Sequence, residues 1–181
     1  FTYDQCFQEE FQLENIVGPV IEEAKKWGDF PIIAAGGIWD KNDIDKYLAM
    51  GCAGVQMATR FIGTFECDAD AKFKNVLLNS KEEDIILMKS PVGLPARGVK
   101  TNLQFSIENH TAPKVQCISN CVAPCNRGTE AKIVGYCIAD RLGAAYNGDV
   151  DTGLFFTGSN GYKINKIISV KELMEKLTQG E

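Results

Sequence analysis

Between Pro31 and Ile62 the pattern of apolar and polar positions changes period repeatedly, and each change marks an element. Pro31-Ile32-Ile33-Ala34-Ala35 is a short unbroken apolar run, which predicts a strand buried on both faces. It stops at Gly36-Gly37, where missing Cβ atoms let the backbone bend sharply and approach a ligand. Asp40 stands where a helix cap belongs, and over Lys41 to Met50 the residues Ile44, Tyr47 and Leu48 fall on one helical face. Gly51-Cys52-Ala53-Gly54 ends that helix. Val55-Gln56-Met57-Ala58 reads as the next strand and runs into Thr59-Arg60-Phe61. The whole is a βαβ unit, and parallel strands joined this way place both C-terminal ends on the same side of a sheet. Two adjacent turns of small and hydroxyl residues there offer several backbone N–H groups to one phosphate.

The flanking segments repeat the β/α rhythm less clearly. Phe1 to Phe11 carries aromatics at positions 1, 3, 7 and 11 without a clean period. From Glu14 to Trp27 the set Ile16, Val17, Val20, Ile21, Ala24 and Trp27 recurs at helical spacing, with Glu22, Glu23, Lys25 and Lys26 on the other face. Asp68 to Asn79 predicts another helix with Phe73, Val76 and Leu77 inward, and Glu83 to Lys89 a strand. Ser90-Pro-Val-Gly-Leu-Pro-Ala-Arg97-Gly98 predicts an ordered turn or loop. Arg97 within it is suited to a two-pronged contact with phosphate or carboxylate, or more plainly to pairing with an Asp or capping carbonyls. A helix is expected over Phe105 to His110, and His110, the one histidine of the chain, reads as an exposed loop residue rather than a general base. Gly153 to Tyr162 holds a second small-residue turn, TGSNG, which reads equally as a ligand loop or a plain tight turn. Tyr162 to Ile168 alternates, and Ser169-Val-Lys-Glu172 is a capping box opening a final helix through Leu177.

Four cysteines add a second candidate chemistry. Cys117, Cys121, Cys125 and Cys137 follow the spacing C-x3-C-x3-C-x11-C, the first three on a tight loop and Cys137 on a helix expected from about Thr129 to Tyr146. Converging thiolates of this kind hold an iron–sulfur cluster or structural zinc, and the lack of two C-x2-C knuckles favours iron–sulfur as the metal reading. Buried packing thiols and a disulfide stay open as alternatives.

Composition removes several classes. The chain has 181 residues, 45% of them hydrophobic, enough to bury a core, and a net charge of -5 with scattered basic residues argues against nucleic acid. No run approaches the roughly 18 apolar residues of a membrane helix. Seven cysteines in a chain of this length fit an intracellular, cytoplasmic setting better than a disulfide scaffold. The start FTYDQCF lacks methionine and reads as the middle of a folded protein, so an upstream part is expected. A whole eight-stranded β/α barrel takes roughly 250 residues, and the two parallel units here look like its last strands. No nucleophile–base pair stands out.

The stretch AAGGIWDKNDIDKYLAMGCAGVQMATRF, followed by SPVGLPAR, closely resembles the C-terminal half of the nitronate monooxygenase (2-nitropropane dioxygenase-like) family, which includes TIM-barrel, flavin-dependent enoyl-acyl-carrier-protein reductases. The resemblance covers residues 30–100 well and the tail more loosely. It implies an α/β chain that forms the C-terminal part of a (β/α)8 TIM barrel. Residues 1–100 would be its last β/α units, and residues 101–181 a Cys-containing helical and loop extension with closing β/α elements. It also implies FMN, with the phosphate held by Gly36, Gly37, the backbones of Gln56, Met57, Ala58 and Thr59, and the Thr59 hydroxyl. Two departures stand out: Ala58 replaces a usual glycine, and the family's Gly-Gly-His active-site histidine falls upstream of Phe1, so His110 does not inherit that role. The four-cysteine set is not a general family feature; an iron–sulfur cluster is supported only by analogy with flavin barrels that reduce enoyl thioesters. The implied activity is oxidation of alkyl nitronates with O2. The alternatives are an NAD(P)H-dependent enoyl thioester reductase and, from another class, a flavin-free phosphate-binding barrel of the IMP dehydrogenase kind. The implied partners are a small-molecule substrate with O2 or NAD(P)H, no membrane, and a homodimer as an open alternative.

Overall fold

The computed structural model describes residues 3–92, 94–112 and 135–180. Cys117, Cys121 and Cys125, and the expected helix before residue 135, lie outside the described residues.

The βαβ unit forms as its pattern requires. β1 (Ile33–Ala35) pairs in parallel with β2 (Gly54–Gln56), and α2 (Lys41–Ala49) crosses between them. The Asp40 carboxylate accepts the Asp43 N–H at 3.0 Å and so fixes where α2 begins. Before them, two short 3-10 turns (Asp4–Phe7 and Glu9–Phe11) lead into α1 (Leu13–Lys25). Val17 and Ile21 of α1 pack with Ala34, Ile38, Tyr47 and Cys52 in a first core. The expectation that the first strand is buried on both faces is corrected. Ala34 is buried, whereas Ile33 is 52% exposed, because β1 pairs with β2 alone among the described residues and nothing covers its outer face. Leu48, Val20 and Trp27 are likewise exposed rather than inward, the Trp27 indole N–H donating to Glu23 at the surface.

After the short α3 (Thr59–Ile62), α4 (Ala71–Leu78) starts at Asp70, whose carboxylate accepts the Lys72 N–H at 2.7 Å. The segment expected to be a loop is partly a strand. β3 (Ile85–Lys89) pairs antiparallel with β4 (Pro95–Val99) and puts Arg97 opposite Leu87. Pro95 is tolerated because it opens the strand at a sheet edge. Beyond β4, a bridge between Gly98 and Phe156 extends this sheet, with Val99 N–H donating to the Phe155 carbonyl at 2.9 Å. A Cβ on Gly98 would lie 2.5 Å from that carbonyl, so the close approach needs glycine here.

α5 (Asn102–Glu108) begins three residues earlier than its apolar pattern suggests. The cause is Thr101 and Gln104, whose side chains meet at 2.9 Å while the Gln104 carbonyl also accepts the Thr101 N–H at 2.8 Å. α6 (Ile138–Tyr146) places Cys137 at its N-cap rather than inside a helix from Thr129. α7 (Val170–Gln179) is capped by the Ser169 hydroxyl, as expected, but Glu172 does not reciprocate; Glu66, 104 residues upstream, accepts the neighbouring Val170 N–H. The alternating Tyr162–Ile168 stretch is not a strand. It forms a single 3-10 turn (Gly161–Lys163) and one parallel bridge from Ile168 to Thr64.

Residues from both sides of position 100 share the remaining cores. Leu77 and Val99 pack with Ala145, Phe155 and Ile164, and Ile168, Leu173 and Leu177 of the tail pack against Ile44, Met57 and Phe61. No helix among the described residues is long and apolar enough to cross a membrane.

Leu77 is fully buried, so Leu77→Ala is expected to cost about 2–5 kcal/mol, read as a lower denaturation midpoint. Tyr136 is buried beside Leu103 and Leu154, and burial pushes its hydroxyl from 10.0 up to about 12. Its folded-state pKa is raised, so the stability linked to it is complete below about pH 10 and falls as pH rises toward 12. Stability measured against pH should decline more steeply across that window in the native protein than in Tyr136→Phe.

Candidate functional site

Three turns meet at the rim of one cavity of about 630 Å³. The first is Gly36-Gly37 at the end of β1, with φ of 113° and 70°, a left-handed backbone that glycine adopts without strain. A Cβ on Gly36 would meet nothing within 4 Å, so that face of the turn is open to the cavity. The second is Gln56 to Thr59, running from β2 into α3. The third is Thr157 to Asn160, which follows the strand-like segment beside β4, the Thr157 N–H donating to the Arg97 carbonyl at 3.2 Å.

Side chains lock the three together. The Thr59 hydroxyl accepts the Gly158 N–H at 2.8 Å, and the Asn160 amide donates to the Gly37 carbonyl at 2.6 Å. A Cβ on Gly158 would lie 2.8 Å from the Thr59 hydroxyl oxygen, so residue 158 must be small for the contact to close. Having accepted from Gly158, the Thr59 hydroxyl keeps its own proton for a second partner.

The walls are mostly apolar: Ile38, Ile62, Val92, Leu94, Ile138 and Phe156 line the cavity, with Trp39 on one side. Ser90 is buried at the edge and accepts the Val92 N–H at 3.3 Å. Arg97 is the one charged side chain among the described lining residues, and it takes no carboxylate partner among them. The Thr157 hydroxyl is buried at the rim with no hydrogen-bond partner, a group that burial penalises until something pairs with it.

Every expected phosphate-site residue is found together here: Gly36, Gly37, Gln56, Met57, Ala58 and Thr59 all line the cavity. His110 does not; it is exposed just beyond α5, with φ 57°. Of the four-cysteine set only Cys137 is described, half-buried and unpaired, and no group of three or more metal-ligating side chains exists among the described residues. The TGSNG turn, open between a ligand loop and a plain tight turn in the sequence, lines the cavity at Thr157 to Asn160, and Trp39 and Ser90 line it without a sequence signal. The signal for the third turn was present, since TGSNG has the same small-residue character as AAGG, but nothing local says that the two lie side by side.

The model of a protein family described as nitronate monooxygenase matches residues 1–180 of this sequence. The chain belongs to the nitronate monooxygenase family. Among curated relatives, a probable nitronate monooxygenase of Staphylococcus saprophyticus is 36% identical over 72 residues, covering 40% of this chain and 20% of the relative. One from Staphylococcus aureus is 38% identical over 69 residues, covering 38% and 19%. Among solved structures, FabK from Thermotoga maritima superposes with a TM-score of 0.64 at 23% identity, over 91% of this chain and 48% of that one. A nitroalkane oxidase from Streptomyces ansochromogenes superposes at 0.60 and 23% identity, over 91% and 43%. These likenesses establish a shared α/β fold, and the chain spans just under half the length of the solved structures.

Two substitutions test how the rim is held. Gly158→Ala should force the third turn away from Thr59, read as faster amide exchange at residues 157–161. Thr59→Val should leave the Gly158 N–H without its acceptor and lower stability by about 1 kcal/mol in a denaturant titration.

Proposed function

We propose that this chain is the cofactor-phosphate half of an FMN-dependent oxidoreductase that oxidises alkyl nitronates with O2. Its βα units would form the C-terminal part of a (β/α)8 barrel whose mouth is the 630 Å³ cavity. The observation that carries this is the meeting of Gly36-Gly37, Met57–Thr59 and Thr157–Asn160 around one volume. Membership of the nitronate monooxygenase family supports the activity, and the names of the Staphylococcus relatives agree with it.

The residues present fit a flavin phosphate. Gly36 and Gly37 offer backbone with no side chain of their own in the way, and Thr59 retains a hydroxyl proton. Ala58 in place of glycine adds a single methyl at an exposed position, too small to block the approach. When bound, the flavin supplies the capacity to accept electrons from substrate and pass them to oxygen.

The protein's own part is positioning and charge. Val92, Leu94 and Phe156 give the space beside the rim an apolar lining. Arg97, the charged group of that wall, provides a positive partner for an anionic substrate such as a nitronate, or for the phosphate itself. The proton-transferring residue belongs to the part of the family pattern expected upstream. The half-buried Cys137 opens α6 next to the cavity-lining Ile138, and a metal centre built with Cys117, Cys121 and Cys125 stays a proposal separate from the flavin.

Purified protein should be yellow or become so on adding FMN, and should consume oxygen with an alkyl nitronate. A preparation that stays colourless with FMN would overturn the proposal, and NADPH consumption on an enoyl thioester without nitronate oxidation would move it to the reductase. Gly37→Val combined with Thr59→Ala should weaken FMN affinity roughly tenfold or more in a fluorescence titration, by loss of backbone access and one donor.

A further inference from the structure

Behind Trp39 lies a second cavity of about 250 Å³, and its character is the reverse of the first. Arg60, Lys163, Lys166 and Lys176 line it, and no carboxylate does among the described residues, in a chain whose net charge is -5. The cations come from three separate places: the start of α3, the segment after the TGSNG turn, and α7. Arg60 is anchored, donating to the Trp39 carbonyl at 2.9 Å with its guanidinium 4.8 Å from the indole centre. Lys163 approaches the same ring at 6.0 Å and the Tyr162 ring at 5.9 Å. Lys176 shares its charge with Glu172 at 3.4 Å, whereas Lys163 and Lys166 take no carboxylate among the described residues. Asn165 adds an amide to the same wall.

Like charges gathered around a hollow repel one another, and the fold accepts this in a chain that is acidic on balance. An aromatic ring relieves part of that repulsion through its electron-rich face, and a bound anion relieves more of it. We propose that this cavity is a second anion site that takes a phosphate group, separate from the rim at Gly36-Gly37. Phosphate suits it because several donors from different directions can each reach an oxygen, which a planar carboxylate would leave partly unused. Arg60 directly follows Thr59, so an anion held there sits beside the first cavity with Trp39 as the dividing wall. The natural source is a phosphate-bearing second substrate whose reactive end reaches the first cavity.

Calorimetric titration of the purified protein with inorganic phosphate and, separately, inorganic pyrophosphate tests the proposal without reference to flavin. Saturable binding is expected, and the tighter of the two distinguishes a single phosphate group from a diphosphate bridge as the source. Lys163→Glu with Lys166→Glu changes two exposed side chains and should weaken that binding roughly tenfold or more. Lys25→Glu with Lys72→Glu makes the same change in net charge on other faces and should leave it within about twofold. Absence of saturable binding overturns the proposal, and so does an equal loss in both double variants. Binding that survives Lys163→Glu with Lys166→Glu but disappears in Gly37→Val with Thr59→Ala also overturns it, because the anion would then occupy the flavin-phosphate rim.

Discussion

The contact on which the site depends is a threonine hydroxyl accepting a glycine N–H. Thr59 and Gly158 are 99 residues apart, and with Asn160 reaching back 123 residues to Gly37 they turn three loops into one frame. Each loop alone is a short, small-residue turn with little to hold its shape. Tied together, their backbone groups face one volume in fixed directions, which is what binding an anion through main chain requires. The small residues let the loops approach one another, as the 2.8 Å from a Cβ on Gly158 to the Thr59 hydroxyl shows, and the same lack of side chains leaves their backbone open to the cavity.

The same frame explains which parts of the chain could be read in advance. Asp40 and the apolar run before Gly36 announce the βαβ unit because a cap and a strand of this kind are decided within a few residues. The six rim positions from Gly36 to Thr59 were legible for that reason, with help from the family resemblance. The third turn is legible only as one of two readings, because its place beside the others comes from partners a hundred residues away. Pro95 to Val99 shows the opposite error: proline and glycine suggest a loop, but pairing with Ile85–Lys89 overrides local preference and makes a strand. The start of α7 is a third case: the Ser169 half of the capping box forms, while the next N–H, that of Val170, is taken by Glu66 from another element.

Burial followed the pattern only where a partner existed. Ile33 sits in an apolar run that reads as core, yet its side chain is 52% exposed because, among the described residues, its strand pairs with β2 alone and α1 packs on the Ala34 face. Leu173, in a helix of similar amphipathic pattern, is fully buried because Ile44, Met57 and Phe61 stand opposite it. Periodicity states which face wants covering; the neighbouring elements decide whether it is covered.

Trp39 is held at both ends of its peptide unit, its N–H by Asp43 at 2.7 Å and its carbonyl by Arg60 at 2.9 Å. Its indole is the one side chain that borders both cavities among the described residues. A ligand on one side that tilted this ring would change the free energy of filling the other, and by linkage the effect would be equal in both directions.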